Sequence, residues 1–293
     1  MSDILERSPA PFDKRITYGP EPQHFAELRF PKGPGPFPLL MMIHGGFWQS
    51  AYDLKHTGPL CADLTGRGIV TCNIEYRRIG DPGGGWPGTF QDISLASYRI
   101  PEILGSDPRV DKLRTLVMGH SAGGHLALWL VSRHKISKNS ALYENRKSPI
   151  VNAISLAGVA DLRTAWKQKL GNGVVTRLMD GHPDQYPNRY DAGSPIELLP
   201  NGARQSLIHG ALDNSVPVSQ SELFERRATQ MGDECSLVKL EGTGHFEAID
   251  PESDAWSSVV TAVETMLDDV NRSRGKLADS EKLHLARKYE NRD

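Results

Sequence analysis

The stretch Leu113-Arg114-Thr115-Leu116-Val117-Met118-Gly119-His120-Ser121-Ala122-Gly123-Gly124-His125-Leu126-Ala127-Leu128-Trp129-Leu130 decides how the rest of this 293-residue chain is read. Its first six residues read as a short buried strand and its last six as the start of a helix. Between them a serine carries glycines two positions away on either side. A strand that turns directly into a helix leaves no space for side chains at positions 119 and 123, and it strains the residue at the tip. The spacing therefore predicts a nucleophile elbow, with Ser121 Oγ raised towards a ligand. A glycine-rich turn with an incidental serine has the same bare pattern, so the neighbouring elements must decide between them.

Those elements follow a regular rhythm. Residues 38–43 form a continuous apolar run, Pro-Leu-Leu-Met-Met-Ile, as in a strand covered on both faces. Similar runs fall at 69–74, 151–156, 206–209 and 236–240, with earlier strands at 16–18 and 25–30. Helical patterns lie between them at 54–67, 89–104, 125–133 and 219–231. This alternation predicts an α/β fold with a mostly parallel central sheet and helices on both faces. A single domain over residues 1–293 is expected. Residues 160–200 break the rhythm with Trp166, Tyr186 and Tyr190 among glycines and prolines, and read either as a small lid-like insertion or as plain structural insertion. Residues 271–293 form a charged C-terminal extension, and the segment up to about Pro11 reads as polar and loose.

A net charge of −2 gives no electrostatic case for binding nucleic acid or an anionic membrane surface. No stretch approaches a membrane span, and Met1 to Arg7 lacks the basic and apolar regions of a secretory leader. The expected location is cytoplasmic. Cys61, Cys72 and Cys235 are too few and too scattered for a disulfide framework, and read as buried thiols. No clustered His/Cys spacing suggests a metal site.

A serine hydroxyl needs a base, and the base needs an orienting acid. The expected chain order for this constellation is Ser, then acid, then His. Asp213 follows the run at 206–209, and His245 follows the last strand in Gly244-His245-Phe246. Both fall at carboxyl ends of strands, the rim where open α/β sheets bind ligands. Ser121, Asp213 and His245 are therefore the expected catalytic set. Asp161 is the rival acid, but its place before a helix reads better as an N-cap. His44, His120 and His209 read as local hydrogen-bonding residues. His44-Gly45-Gly46-Phe47-Trp48 closes the strand at 38–43, and the backbone N–H groups of Gly46, Phe47 and Ala122 are the expected oxyanion donors. Trp48, Trp86 and Phe246 are candidate substrate-binding residues, with Trp166 a weaker one, although each also suits ordinary packing. Gly83-Gly84-Gly85-Trp86-Pro87 lacks the Gly-Lys-Ser/Thr of a phosphate loop and reads as a flexible loop carrying Trp86 to the site mouth.

At this point a family resemblance enters. His44-Gly45-Gly46-Phe47-Trp48 resembles the HGGxW loop of the kynurenine formamidase branch of the α/β-hydrolases. That branch is close to the hormone-sensitive-lipase-like esterases, whose last loop glycine is here replaced by Phe47. Glu75-Tyr76-Arg77 resembles a strand end of the same branch, and the Asp213 and His245 segments look like the catalytic domain of prolyl-oligopeptidase-type enzymes, though no propeller is present. The resemblance spans about residues 25–270 and implies an α/β-hydrolase fold. It also implies a cofactor-free serine hydrolase that cleaves small or aromatic carboxylic esters through an acyl-enzyme. An aryl formamide such as N-formylkynurenine, or another small amide or peptide, uses the same groups. A non-catalytic hydrolase-fold binder is the remote alternative, and homo-oligomerisation stays open.

Overall fold

Leu39 to Ile43 are all buried because the strand that carries them is covered on both faces. The two-residue period of a strand then sorts the run. Leu39, Met41 and Ile43 enter one apolar cluster, while Leu40 and Met42 enter another on the opposite face. The computed structural model describes residues 4–268, except Pro9 and Lys147. The charged extension at 271–293 lies outside the described residues.

Eight strands form one sheet: β1 (Lys14–Thr17), β2 (Phe25–Arg29), β3 (Phe37–Ile43), β4 (Val70–Ile74), β5 (Val110–His120), β6 (Asn152–Leu156), β7 (Arg204–Gly210) and β8 (Cys235–Leu240). Their order is β1-β2-β4-β3-β5-β6-β7-β8. The pairs β1–β2 and β2–β4 are antiparallel, and every later pairing is parallel. The chain therefore has the α/β-hydrolase fold, with β5, the strand that leads into Ser121, in the middle of the sheet.

Helices α1 (Gly58–Gly66), α2 (Gly88–Leu104), α3 (Ala122–Ser132) and α7 (Ser219–Gln230) match the four helical patterns. The 160–200 segment supplies α4 (Leu162–Lys167), α5 (Leu170–Met179) and α6 (Pro187–Gly193). One further helix, α8, spans residues 256–268. Helix α1 packs with α8 on one face through Leu60, Leu64, Val259 and Val263, while α2, α3 and α7 cover the other. Among the described residues, no helix is long and apolar enough to cross a membrane.

Three expectations need correction. Helix α3 starts at Ala122 rather than at 125, so the elbow has no connecting loop. The N-terminal segment is not loose throughout: Ile4 is 1% exposed and belongs to the α1/α8 cluster. The glycine loop at 83–85 is tightly folded, for a Cβ on Gly84 would collide with the Arg78 carbonyl. The 160–200 segment sends Leu162, Leu170, Val175, Leu178 and Tyr190 into the same core as α2 and α3. Asp161 is the N-cap of α4, its carboxylate accepting from the N–H groups of Arg163 and Thr164.

Candidate active site

The elbow is fixed by backbone contact. Ser121 has φ 56 and ψ −117, a region L side chains rarely occupy, with a typical cost of about 1–3 kcal/mol. Its N–H is tied to the Leu156 carbonyl at 2.8 Å, which anchors the tip to β6. A Cβ on Gly119 would collide with the Gly123 carbonyl, and one on Gly123 with the carbonyl of Ile43. The glycine spacing thus answers two separate approaches. One lets α3 leave β5 at once, and the other lets α3 sit against the end of β3.

The end of β3 runs into the His44–Trp48 loop. A Cβ at Gly45 would lie 2.9 Å from His120 O and 3.1 Å from Ser121 Cβ, so this loop touches the elbow backbone to backbone. Gly46, Phe47 and Trp48 all have positive φ, at 110, 52 and 55. Two aromatic residues in that conformation need compensation from elsewhere. Trp48 supplies part of it: its ring is 0% exposed and its Nε1–H donates to His125 Nδ1 at 3.2 Å. His125 in turn donates from Nε2 to Gly193 O at 2.8 Å, and burial lowers its pKa to about 4. Trp48, expected in the substrate pocket, is therefore a core anchor of the loop. The positive φ turns its side chain inwards, while Phe47 lines a cavity over Ser121.

The strand end Glu75-Tyr76 holds the same loop from behind. Glu75 Oε1 accepts from His44 Nε2 at 2.9 Å, and the Tyr76 hydroxyl donates to His44 O at 2.9 Å. The Tyr76 and His44 rings stack at 4.5 Å. Glu75 is paired in turn with Arg78 at 3.1 Å. The left-handed turn at the start of α5 braces the other side: Gly171 has φ 52, and a Cβ there would come within 2.7 Å of Phe47 Cδ1.

Asp213 and His245 meet at the rim. His245 Nδ1 donates to Asp213 Oδ2 at 2.6 Å, and Oδ1 accepts from the N–H groups of Ser215 and Val216 at 2.8 Å each. His209 Nε2 approaches Oδ2 at 3.3 Å while its Nδ1 accepts from Ser221 Oγ at 2.7 Å. Burial works against the Asp213 carboxylate, but hydrogen bonds from His209 and His245 outweigh it and hold its pKa well below the usual range. His120 Nε2 donates to the His245 carbonyl at 2.9 Å, so the residue before Ser121 also holds the backbone of His245. Burial, helped by repulsion from the neighbouring His245 ring, holds the His120 pKa well below the usual imidazole value.

Ser121, His245, Gly46, Phe47 and Phe246 line one cavity of about 50 Å³. Leu5, Tyr52 and His56 also line it, and sequence reasoning missed all three. Burial, with the charge of His44, lowers the His56 pKa to about 3. Ala122 is the first residue of α3, where N–H groups have no intrahelical acceptor and can serve a ligand. Trp86, another candidate for the pocket, packs edge-on against Phe90 at 5.7 Å instead, with its backbone N–H donating to Leu178 O. Trp166 donates to His182 Nδ1 at 3.1 Å within the 160–200 segment.

A serine on an elbow, an Asp–His pair and a doubly braced glycine loop, set on this sheet, define the class, an α/β-hydrolase. More narrowly, the chain belongs to the BD-FAE family, whose model matches residues 28–227. Among curated relatives it is 27% identical to esterase LipC of Mycobacterium tuberculosis, over 90% of this chain and 67% of that one. It is 26% identical to a probable isoprenylcysteine alpha-carbonyl methylesterase of Oryza sativa subsp. japonica, over 80% of this chain but 58% of the relative. The chain thus spans about three-fifths to two-thirds of these relatives' lengths. A thermophilic esterase structure from Thermogutta terrifontis superposes with a TM-score of 0.71 at 23% identity, covering 89% of this chain and 93% of that one, and speaks for the fold.

Proposed function

We propose that this chain is a serine carboxylesterase that cleaves small carboxylic esters through an acyl-enzyme. The observation that carries this reading is the 2.6 Å Asp213–His245 pair, whose His245 lines the same cavity as Ser121. Because Nδ1 of His245 donates to Asp213, Nε2 is left as the proton acceptor. Ser121 Oγ attacks the acyl carbon as its proton passes to His245. The N–H groups of Gly46, Phe47 and Ala122 take the oxyanion. Collapse breaks the bond to the alcohol, which leaves with the proton from His245. Water then repeats the sequence on the acyl-enzyme and frees the acid. A cavity of about 50 Å³ favours a small group over an aromatic one on the side it encloses.

A second reading keeps the machinery and changes the bond. The Glu75–Tyr76 clamp on the His44–Trp48 loop is built from the two motifs that resemble the kynurenine formamidase branch, so an aryl formamide is the rival substrate. One panel separates the two: kcat/KM for p-nitrophenyl acetate, methyl ferulate and N-formylkynurenine on wild type and Ser121→Ala. Ester turnover that falls about a million-fold in the variant supports the esterase. Preference for the formamide replaces it with the rival, and turnover indifferent to Ser121 removes both.

A further inference from the structure

Most of the catalytic cavity comes from the carboxyl ends of the sheet, as the fold requires. Leu5 does not. It lies in the segment before β1, yet lines the cavity beside Ser121, His245 and Phe246. Its surface is 47% exposed, so burial alone does not keep it there. Its neighbours do. Ile4 is inserted in the cluster that also holds Ala248 and Ile249, which follow His245 closely in sequence. Arg7 donates to both carboxylate oxygens of Asp250, at 2.8 and 3.0 Å, and lies 3.2 Å from Glu252. A bidentate, charge-assisted pair fixes orientation as well as distance. An apolar plug on one side of Leu5 and an ionic clamp on the other thus fasten this segment to the loop that carries the base.

We propose that Leu5 is a specificity-determining residue, the wall that limits the size of the substrate group seated in the cavity. A space of about 50 Å³ admits on the order of one or two water-sized groups, so one leucine side chain is a large part of its boundary. The inference rests on Ser121 being the nucleophile. It adds that the length limit is set from outside the hydrolase sheet.

The test measures kcat/KM for p-nitrophenyl esters from acetate to octanoate, and for acetates of methanol to hexanol, on wild type, Leu5→Gly, Leu5→Phe and Arg7→Ala. Fluorophosphonate labelling of Ser121 runs alongside. Leu5→Gly should raise the ratio of long to short substrates roughly tenfold in one of the two series. Leu5→Phe should lower it, and Arg7→Ala should shift it in the same direction as Leu5→Gly. A structural role alone would depress all substrates together and leave the ratios unchanged. Labelled, active variants with wild-type length profiles overturn the proposal. A wild type that is neither labelled nor active overturns the catalytic reading instead.

Discussion

The Ser121 turn and the Asp213–His245 pair sit on one rim but are held by different forces. At the elbow the determinants are steric: Gly119 and Gly123 let backbone meet backbone, and Ser121 is left at φ 56. At the pair they are polar: four donors converge on the Asp213 carboxylate, and His120 holds the carbonyl of His245. The first kind of positioning tolerates no added atom. The second tolerates equal volume but no change of charge or donor. An added methyl at the elbow and a volume-conserving change at the pair should therefore separate the two regions.

The largest effect should come from Gly123→Ala. The added methyl meets the Ile43 carbonyl, so stability should fall by roughly 3 kcal/mol or more, with loss of Ser121 labelling, read by thermal melting and a fluorophosphonate probe. A folded, labelled variant would show that the elbow can give way. Asp213→Asn conserves volume and should cost about 10,000-fold in kcat while the protein stays folded. Near-normal turnover there would take Asp213 out of the proposed machinery. Glu75→Gln should be milder, lowering kcat/KM by up to about 100-fold through a displaced oxyanion loop. If KM alone changed, Glu75 would be serving binding rather than the loop's geometry.

The smallest effect concerns pH. His56 has a folded pKa lowered to about 3, so the unfolded chain takes the proton first. Its contribution to stability is full above the unfolded value near ~6.5 and is lost as the pH falls towards the folded one. Melting temperature should therefore fall with pH below about 6.5, and less steeply in His56→Asn. Identical slopes would show that other groups dominate.

The same contrast explains what could be read from the sequence. Steric demands leave a local signature, and Gly119-His120-Ser121-Ala122-Gly123 states its turn outright. Asp213 and His245 were legible only through their order after strands, because a hydrogen bond 32 residues apart has no spacing rule. Trp48 was misplaced because the sequence does not reveal that positive φ turns its ring into the core. Helix α8 was missed although Trp256, Val259, Val260, Val263 and Leu267 carry helical periodicity. Leu5 left no signal, since its meeting with the cavity follows from the fold rather than from its neighbours.

The contact between Gly123 and the end of β3 has a consequence for redesign. Ser121 and the His44–Trp48 loop come from different strands, yet one backbone contact spaces them, reinforced where Gly45 meets Ser121. Their separation works as a fixed gauge, not an adjustable setting. Laboratory evolution of this protein should therefore reshape the cavity walls and leave the distance between Ser121 Oγ and the proposed oxyanion donors as it stands.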